Sequence, residues 1–249
     1  MIIPKLVGGL GNQLFQIASS YGVARKSGFD LFLNYDLEWF CMTDYKKPVE
    51  YKQTLYKNIP STDHTPPHII QEESFSYSPI LADQPAIMEG YFQSPKYFDD
   101  YREEVKNLFC FDSAHDCSHL VGDDTIGVHI RRGDYLNVPT VHGILDLDYY
   151  KRALDLVDGD NVVICTDDPD WAETHFGGDC QISNFESEVD DLYLLSQCKK
   201  VILSNSSFSW WGAYLGKEKE TVIVPSVWFG PDGPSDYSDI YVKDWRKFI

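Results

Sequence analysis

Positive charge is scarce in this sequence. Its 249 residues include 21 Lys or Arg against 39 Asp or Glu, a formal net charge of −18. Such an excess of negative charge repels a polyphosphate chain, so we predict no nucleic-acid partner. Long apolar runs are also missing, since no stretch approaches the roughly 18 apolar residues of a membrane span. With neither a basic leader nor an apolar run at its start, the chain is predicted to be cytoplasmic and without an integral membrane segment.

Cysteine is sparse, with six residues and no Cys-x-x-Cys pair. That number cannot form a disulfide scaffold in a chain of this length, so reduced thiols are predicted. One group, Cys110, His115, Cys117 and His119, does bring thiol and imidazole ligands close together in the sequence. Its spacing matches no common zinc pattern, so we predict no metal site.

The signatures of several enzyme classes are missing as well. Residues 9–14 (GLGNQL) are a poor dinucleotide fingerprint, because Leu14 stands where the third small residue belongs. NAD binding by an oxidoreductase is therefore disfavoured. The chain has no phosphate-binding loop with its lysine, and no pair of carboxylates forms a signature of glycoside hydrolysis.

What the sequence does contain is an alternation of apolar strands and amphipathic helices. A strand over 2–7, a glycine loop over 8–11, a helix over 12–27 and a strand over 29–33 predict a βαβ unit. Residues 41–85 contain six prolines and are predicted to be mostly loop with short strands.

A second alternating series begins near residue 125. Strands are predicted over 126–130, 161–165, 201–203 and 221–224, and helices over 148–157, 169–175, 188–198 and 208–215. This order is typical of a parallel sheet covered by helices. We predict an α/β protein of GT-B type, in which two Rossmann-like domains, residues 1–120 and 121–249, face each other across a cleft. Ligands of such sheets bind at the carboxyl ends of the strands.

The first polar strand end covers residues 127–135. Side chains alternate along a strand, so His129 and Arg131 share one face, and we predict that this pair faces the ligand. Arg132 is predicted to form a structural ion pair with Asp134 or another acid.

Two further strand ends are polar. Asp167 and Asp168 precede Pro169; Asp168 fits a helix N-cap, and a carboxylate here also fits an acceptor of hydrogen bonds from guanine or ribose. The third end, residues 204–208, is rich in hydroxyls and leads into a helix start, an arrangement that binds phosphate. Residues Trp210 and Trp211 are predicted to belong to the core. Together these strand ends predict a pocket for a nucleoside diphosphate.

Five segments carry a resemblance to a known family. They are residues 8–16 (GGLGNQLFQ), 89–94 (EGYFQS) with 96–98 (KYF), 129–135 (HIRRGDY), 191–196 (DLYLLS) and 204–213 (SNSSFSWWGA). With these segments the chain resembles the α-1,2-fucosyltransferases of glycosyltransferase family 11. The resemblance implies a GT-B fold, GDP-β-L-fucose as donor, a galactose-type glycan acceptor, inversion at the anomeric carbon, and neither a cofactor nor an essential metal. No pattern indicates an oligomeric state.

The resemblance also implies roles for single residues. Arg131 would hold the β-phosphate, and His129 would lie near the guanosine. Asn12 would face the reaction centre. A carboxylate, Asp167 or Asp168, would bind guanine or ribose. Hydroxyls would bind the diphosphate together with their neighbours in the third strand end: Ser206 and Ser207 with Ser204, Asn205 and Phe208. The glycines of the first loop, Gly9 and Gly11, would also contact the donor.

The chemistry follows from charge. When the bond from fucose C1 to the diphosphate breaks, negative charge grows on GDP, and a fixed guanidinium at Arg131 stabilises it mainly in the transition state. The base that accepts the proton of the acceptor hydroxyl is Asp134, His129 or another acid from the first domain. The alternatives are the same fold with another acceptor or linkage, and a catalytically inactive protein that binds a GDP-sugar or a glycan.

Overall fold

The computed structural model describes residues 1–40, 45–216 and 218–249. The chain forms two compact units: unit 1 comprises Met1–Ser113 and Asp236–Val242, and unit 2 comprises Ala114–Ser235 and Lys243–Ile249. This division differs from the predicted one, because residues 114–120 belong to unit 2 and residues 236–242 return to unit 1. Asp239 holds residues 236–242 in unit 1. Its carboxylate accepts a hydrogen bond from the Tyr77 N–H at 2.9 Å, and its carbonyl oxygen accepts one from Ser94 Oγ at 2.9 Å.

Unit 1 contains a small parallel sheet. Its strands are β1 (Ile2–Pro4), β2 (His68–Gln71) and β3 (Ala86–Glu89), in the order β1-β3-β2, and its helices are α1 (Leu10–Ser27) and α2 (Arg102–Leu108). The predicted glycine loop and helix are confirmed, and α1 ends at Gly28, whose φ of 75° fits a left-handed C-cap. The predicted strand over 29–33 is reduced to isolated bridges at Leu31 and Leu33.

The prediction for residues 41–85 holds over the part that is described. Residues 45–85 contain the short strand β2 and a 3-10 turn at Pro48–Tyr51, and the rest is irregular. Residues 41–44 lie outside the described residues, and so does the prediction of a reduced thiol at Cys41.

Unit 2 contains a larger parallel sheet. Its strands are β4 (Thr125–Ile130), β5 (Asn161–Thr166), β6 (Gln181–Ile182), β7 (Lys200–Ile202), β8 (Thr221–Pro225) and β9 (Arg246–Phe248). Its helices are α3 (Pro139–His142), α4 (Leu147–Leu154), α5 (Pro169–Phe176), α6 (Glu188–Gln197) and α7 (Ser207–Leu215). The strand order β6-β5-β4-β7-β8-β9 is that of a doubly wound nucleotide-binding sheet, and the order reverses between β4 and β7.

The four strands and four helices predicted for this half are confirmed. The sheet is covered on both faces: Val128 and Ile130 pack in an apolar cluster with residues of α4 and α5, while Trp210 and Trp211 of α7 are both fully buried, as predicted. Strands β6 and β9 were not predicted, because they are only two and three residues long and are rich in polar side chains.

The sequence predicts no disulfide scaffold, no metal site and no membrane segment, and the described residues bear on each of these points. None of the five described cysteines forms a disulfide. In the suspected ligand group, the His115 ring Nδ1 lies 2.7 Å from Asp190, and within residues 1–40, 45–216 and 218–249 no cluster of three or more His, Cys, Asp and Glu could hold a metal. None of the helices in these ranges is both long and apolar enough to cross a membrane.

The close packing of α1 gives a stability test. A Cβ atom built on Gly22 would lie 2.1 Å from the Tyr97 carbonyl oxygen, so the helix approaches this backbone more closely than any side chain allows. Alanine is otherwise the better helix former by about 1 kcal/mol. We expect Gly22→Ala to lower the free energy of unfolding by about 1–3 kcal/mol in urea titration. Gly122→Ala, where the nearest atom is 3.7 Å away, is the control; a stabilised Gly22→Ala would contradict this packing.

Helix α6 carries a partly buried carboxylate, Asp191, which gives a pH test. Burial raises the pKa of Asp191 to about 6 from its ordinary 3.8, against the opposing hydrogen bonds from Ser183 and Cys165. The folded chain therefore binds this proton more tightly than the unfolded chain does, and its contribution to stability is lost as pH rises through about 6. We expect Asp191→Asn to match the wild type at pH 4 and to be more stable by about 2–3 kcal/mol at pH 7. An equal difference at both pH values would contradict this assignment.

Candidate functional site

Three polar strand ends meet at one edge of the unit 2 sheet. Strands β4 and β5 end at the same level, because Ile130 pairs with Thr166, and β7 pairs with β4 on the other side. Residues 131–135, 167–168 and 203–207 follow these three ends. The reversal of strand order between β4 and β7 is where sheets of this type bind their ligands.

Arg131 stands at the tip of β4 between two carboxylates. Its Nη2 lies 2.5 Å from Asp134 Oδ1, and its Nη1 lies 3.1 Å from Asp167 Oδ2. The guanidinium carbon is 5.1 Å from the centre of the Tyr135 ring, and the side chain is 15% exposed. Burial disfavours the charged form, but Asp167, Tyr135 and Asp134 outweigh it and raise the pKa of Arg131. The result is a permanent cation held in one position and still within reach of solvent.

Arg132 has a structural role, and its partner is Asp168. Its Nε lies 3.0 Å from Asp168 Oδ2, and its guanidinium carbon is 4.3 Å from the centre of the Trp171 ring. The predicted ion pair of Arg132 is therefore made with another acid, because Asp134 is bound to Arg131. The guanidinium groups of the two adjacent arginines therefore pair with different carboxylates.

Asp167 and Asp168 are both engaged with the chain. Asp167 Oδ1 accepts from the Arg132 N–H at 2.8 Å, in addition to its contact with Arg131. Asp168 caps α5 by accepting from the Trp171 N–H at 3.2 Å, which confirms the capping interpretation. A carboxylate has about four lone-pair positions, so these contacts leave each group able to accept another hydrogen bond.

His129 is buried next to the β7–α7 connection. It is 4% exposed, its Nδ1 lies 2.7 Å from Ser204 Oγ, and its ring centre is 5.1 Å from that of Phe208. Burial lowers the pKa of His129 to about 3, so the imidazole is neutral at ordinary pH. The structure thus brings together His129, Ser204 and Phe208, all three predicted for the donor site. His129 is less accessible to solvent than Arg131.

The β7–α7 connection is fixed by its own polar groups. Ser206 is the N-cap of α7 and accepts from the Phe208 N–H at 3.3 Å, and Ser207 is the first helical residue. Asn205 Nδ2 donates to the carbonyl oxygens of His142 at 2.5 Å and of Trp228 at 3.0 Å. A helix start with two serines, held rigidly in this way, presents hydroxyl and N–H donors to an anion.

Tyr135 also belongs to this site, although the sequence pattern predicts no role for it. Its hydroxyl donates to the Asn205 carbonyl oxygen at 3.1 Å, and its ring stacks on His142 with the centres 4.2 Å apart. Burial raises the pKa of Tyr135 to about 12. The ring therefore joins Arg131 to the β7–α7 connection. The only signal in the sequence is its place in the segment 129–135.

The remaining predicted residues lie in unit 1. Gly9 is the N-cap of α1, Gly11 lies in its first turn, and Asn12 Oδ1 accepts from Gln93 Nε2 at 2.8 Å. Gly8 has a φ of 74°, and a Cβ on Gly9 would lie 3.2 Å from the Tyr45 ring. These residues form a local group at the start of α1 in unit 1.

Comparison with known proteins shows the family of this chain. The sequence model of Glycosyl transferase family 11 matches residues 46–248. An O-antigen biosynthesis glycosyltransferase WbnK of Escherichia coli is 27% identical over 92% of this chain and 95% of its own length. An alpha-1,2-colitosyltransferase of Escherichia coli is 28% identical over 92% of both chains. Galactoside alpha-(1,2)-fucosyltransferase 1 of Bos taurus is 26% identical over 86% of this chain and 65% of the relative.

A solved structure supports the fold. NodZ alpha-1,6-fucosyltransferase, co-crystallized with GDP, superimposes with a TM-score of 0.53 at 16% identity and covers 86% of this chain and 92% of the NodZ chain. The predicted α/β fold of GT-B type is thereby confirmed. The match of the family model over most of the chain confirms the resemblance inferred from the five segments, and the chain belongs to glycosyl transferase family 11.

Proposed function

We propose that this chain transfers L-fucose from GDP-β-L-fucose to a hydroxyl of a galactose-type acceptor, forming an α-1,2 linkage with inversion at the anomeric carbon. Membership of family 11 supports the sugar-transfer reaction, and the names of the colitosyl and bovine relatives support the linkage. The single observation that carries the proposal is the geometry of Arg131, a cation fixed at the point where a doubly wound sheet binds its ligand.

In this proposal unit 2 binds the donor. Arg131 binds the β-phosphate, and Ser206 and Ser207 at the start of α7 bind the diphosphate. The guanosine lies near the buried pair His129 and Phe208. Asp167 or Asp168 accepts a hydrogen bond from guanine or ribose. It does so at a carboxylate lone pair that its present partners leave free.

The two carboxylates beside Arg131 keep the guanidinium in place while the reaction proceeds. An ion pair at about 4 Å and an effective dielectric constant near 20 is worth roughly 4 kcal/mol, or about a thousandfold in rate. That stabilisation grows as negative charge develops on the leaving GDP, so it lowers the barrier. The proposal assigns this stabilisation to the guanidinium together with the N–H and hydroxyl donors at the start of α7, and it includes no essential metal and no cofactor.

Two observations support a proposal for the base that accepts the proton of the acceptor hydroxyl. An imidazole with a pKa of about 3 is a weak base, and the ring Nδ1 of His129 already pairs with Ser204. Asp134 is held by Arg131 at 2.5 Å, which fits a positioning residue. We therefore propose that the proton is accepted by an acid of unit 1, and that His129 and Asp134 position the donor-binding groups.

Product analysis tests the proposal directly. The purified chain is incubated with GDP-fucose and a panel of neutral galactosides, and the linkage of each product is determined by NMR. We expect a single α-1,2-fucosylated product. A product linked elsewhere would favour the same fold with another linkage, and GDP binding without any transfer would favour the inactive binding protein. A parallel reaction with GDP-colitose tests the second donor, which the 28% identical colitosyltransferase suggests.

Replacement of Arg131 tests the mechanism. We expect Arg131→Ala to lower kcat/KM by a hundredfold or more, because the leaving GDP loses its fixed cation, while the melting temperature stays close to that of the wild type. Arg152→Ala is the matched control, since Arg152 is an exposed arginine of the same unit that pairs with Asp148 and lies over the Phe248 ring, outside the proposed donor site. An Arg131→Ala variant within threefold of the wild-type rate would contradict the role.

A further inference from the structure

A cavity in unit 1 has no place in the donor-binding site described above. It encloses about 350 Å³, within the range of small-molecule sites, and its walls include charged, amide and aromatic side chains. Six lining residues matter here: Lys5, Glu38, Phe40, Gln71, Glu89 and Tyr91. We call this cavity the unit 1 pocket.

The pocket lies at the carboxyl ends of the unit 1 strands. Gln71 and Glu89 are the last residues of β2 and β3 and pair with each other in the sheet, and Lys5 follows the last residue of β1. This edge of a parallel sheet is where ligands bind in α/β proteins. The position of the pocket is thus that of a binding site of unit 1 itself.

The wall that carries Tyr91 is held in an unusual conformation. A half-buried carboxylate, Glu72, accepts from the backbone N–H groups of Tyr91 at 2.6 Å and Phe92 at 2.8 Å. Phe92 has a φ of 48°, which is uncommon for a residue other than glycine, and its side chain is buried. The backbone at Tyr91 is therefore fixed by contacts that do not involve the tyrosine side chain.

The chemistry of the walls fits a sugar. Phe40 is 64% exposed and Tyr91 is 43% exposed, so aromatic surface remains available to the apolar C–H face of a pyranose. Beside the rings, Lys5 Nζ lies 2.6 Å from Glu89 Oε1, and Gln71 Nε2 donates to the Glu89 carbonyl oxygen at 3.2 Å. Ammonium, amide and carboxylate groups supply the donors and acceptors that sugar hydroxyls require.

The charge of the pocket selects against acidic sugars. Of the charged lining residues, Lys5 is positive and Glu38 and Glu89 are negative, and one positive with two negative charges leaves −1. Lys5 is already paired with Glu89, so an additional anion would face Glu38 without a free counter-charge. A neutral hexose meets no such repulsion.

We propose that the unit 1 pocket binds a terminal neutral hexose of the glycan acceptor through Tyr91 and its polar neighbours, and rejects an acidic sugar. The assignment rests on the proposed fucosyl transfer. It names the acceptor subsite and the feature that determines its specificity.

Kinetics with a neutral galactoside test the pocket. Tyr91→Ala removes the ring and keeps the backbone N–H that Glu72 binds, so we expect the KM for lactose to rise tenfold or more while the KM for GDP-fucose stays within twofold. Tyr91→Phe keeps the ring and should restore most of the affinity. Leu81→Ala removes an exposed apolar side chain of the same unit outside the pocket and is the control. A KM for lactose within twofold of wild type in Tyr91→Ala would overturn the proposal.

Direct binding separates this proposal from the function on which it rests. Saturation-transfer NMR of the wild type should show contact with lactose, little contact with 3′-sialyllactose, and loss of the lactose signal in Tyr91→Ala. Equal signals from the neutral and the acidic sugar, or a lactose signal unchanged in Tyr91→Ala, would overturn the pocket even if the wild type transfers fucose. Binding of lactose that depends on Tyr91, without transfer from GDP-fucose, would support the pocket and overturn the proposed function alone.

Discussion

A guanidinium held between two carboxylates is the interaction on which the unit 2 site depends. Arg131 contacts Asp134 and Asp167, so the three groups together carry a charge of −1. The net negative charge weakens the attraction for an incoming anion. In return the guanidinium is already fixed, whereas a freely rotating arginine loses rotamer entropy when it binds a ligand. In a chain with a net charge of −18, long-range attraction of a nucleotide is absent in any case. What remains is short-range geometry, which acts most strongly when charge develops during the reaction.

The register of two strands decides how the arginines pair. Ile130 lies beside Thr166 in the parallel ladder, so the residues one step further, Arg131 and Asp167, face each other, and the residues two steps further do the same. Gly133 makes room for this arrangement, because a Cβ there would lie 2.5 Å from Asp167 Oδ2. The sequence showed two adjacent arginines and two adjacent aspartates, but the pairing depends on an alignment of strands that no local pattern contains.

Elements that are predicted correctly are marked by residues within their own segment. Elements that are missed depend on contacts with distant segments. Strands β4, β5, β7 and β8 are buried on both faces and are read as apolar runs, and helix starts such as Asp168 and Ser206 carry their own caps. Strand β9 could not be found, because its polar residues join the sheet only through pairing with β8. The role of Tyr135 was equally hidden, because it rests on contacts with Asn205 and His142 in other segments.

The polar groups around the charged side chains differ between the two proposed sites. In unit 2 the start of α7 adds N–H and hydroxyl donors to the guanidinium, so the site can hold an anion although the nearby carboxylates are negative. In the unit 1 pocket, Lys5 is already paired with Glu89 and Glu38 remains, so an anion gains nothing there. These local differences are the physical basis on which the proposed function has the GDP-sugar bind in unit 2 and the neutral acceptor in unit 1.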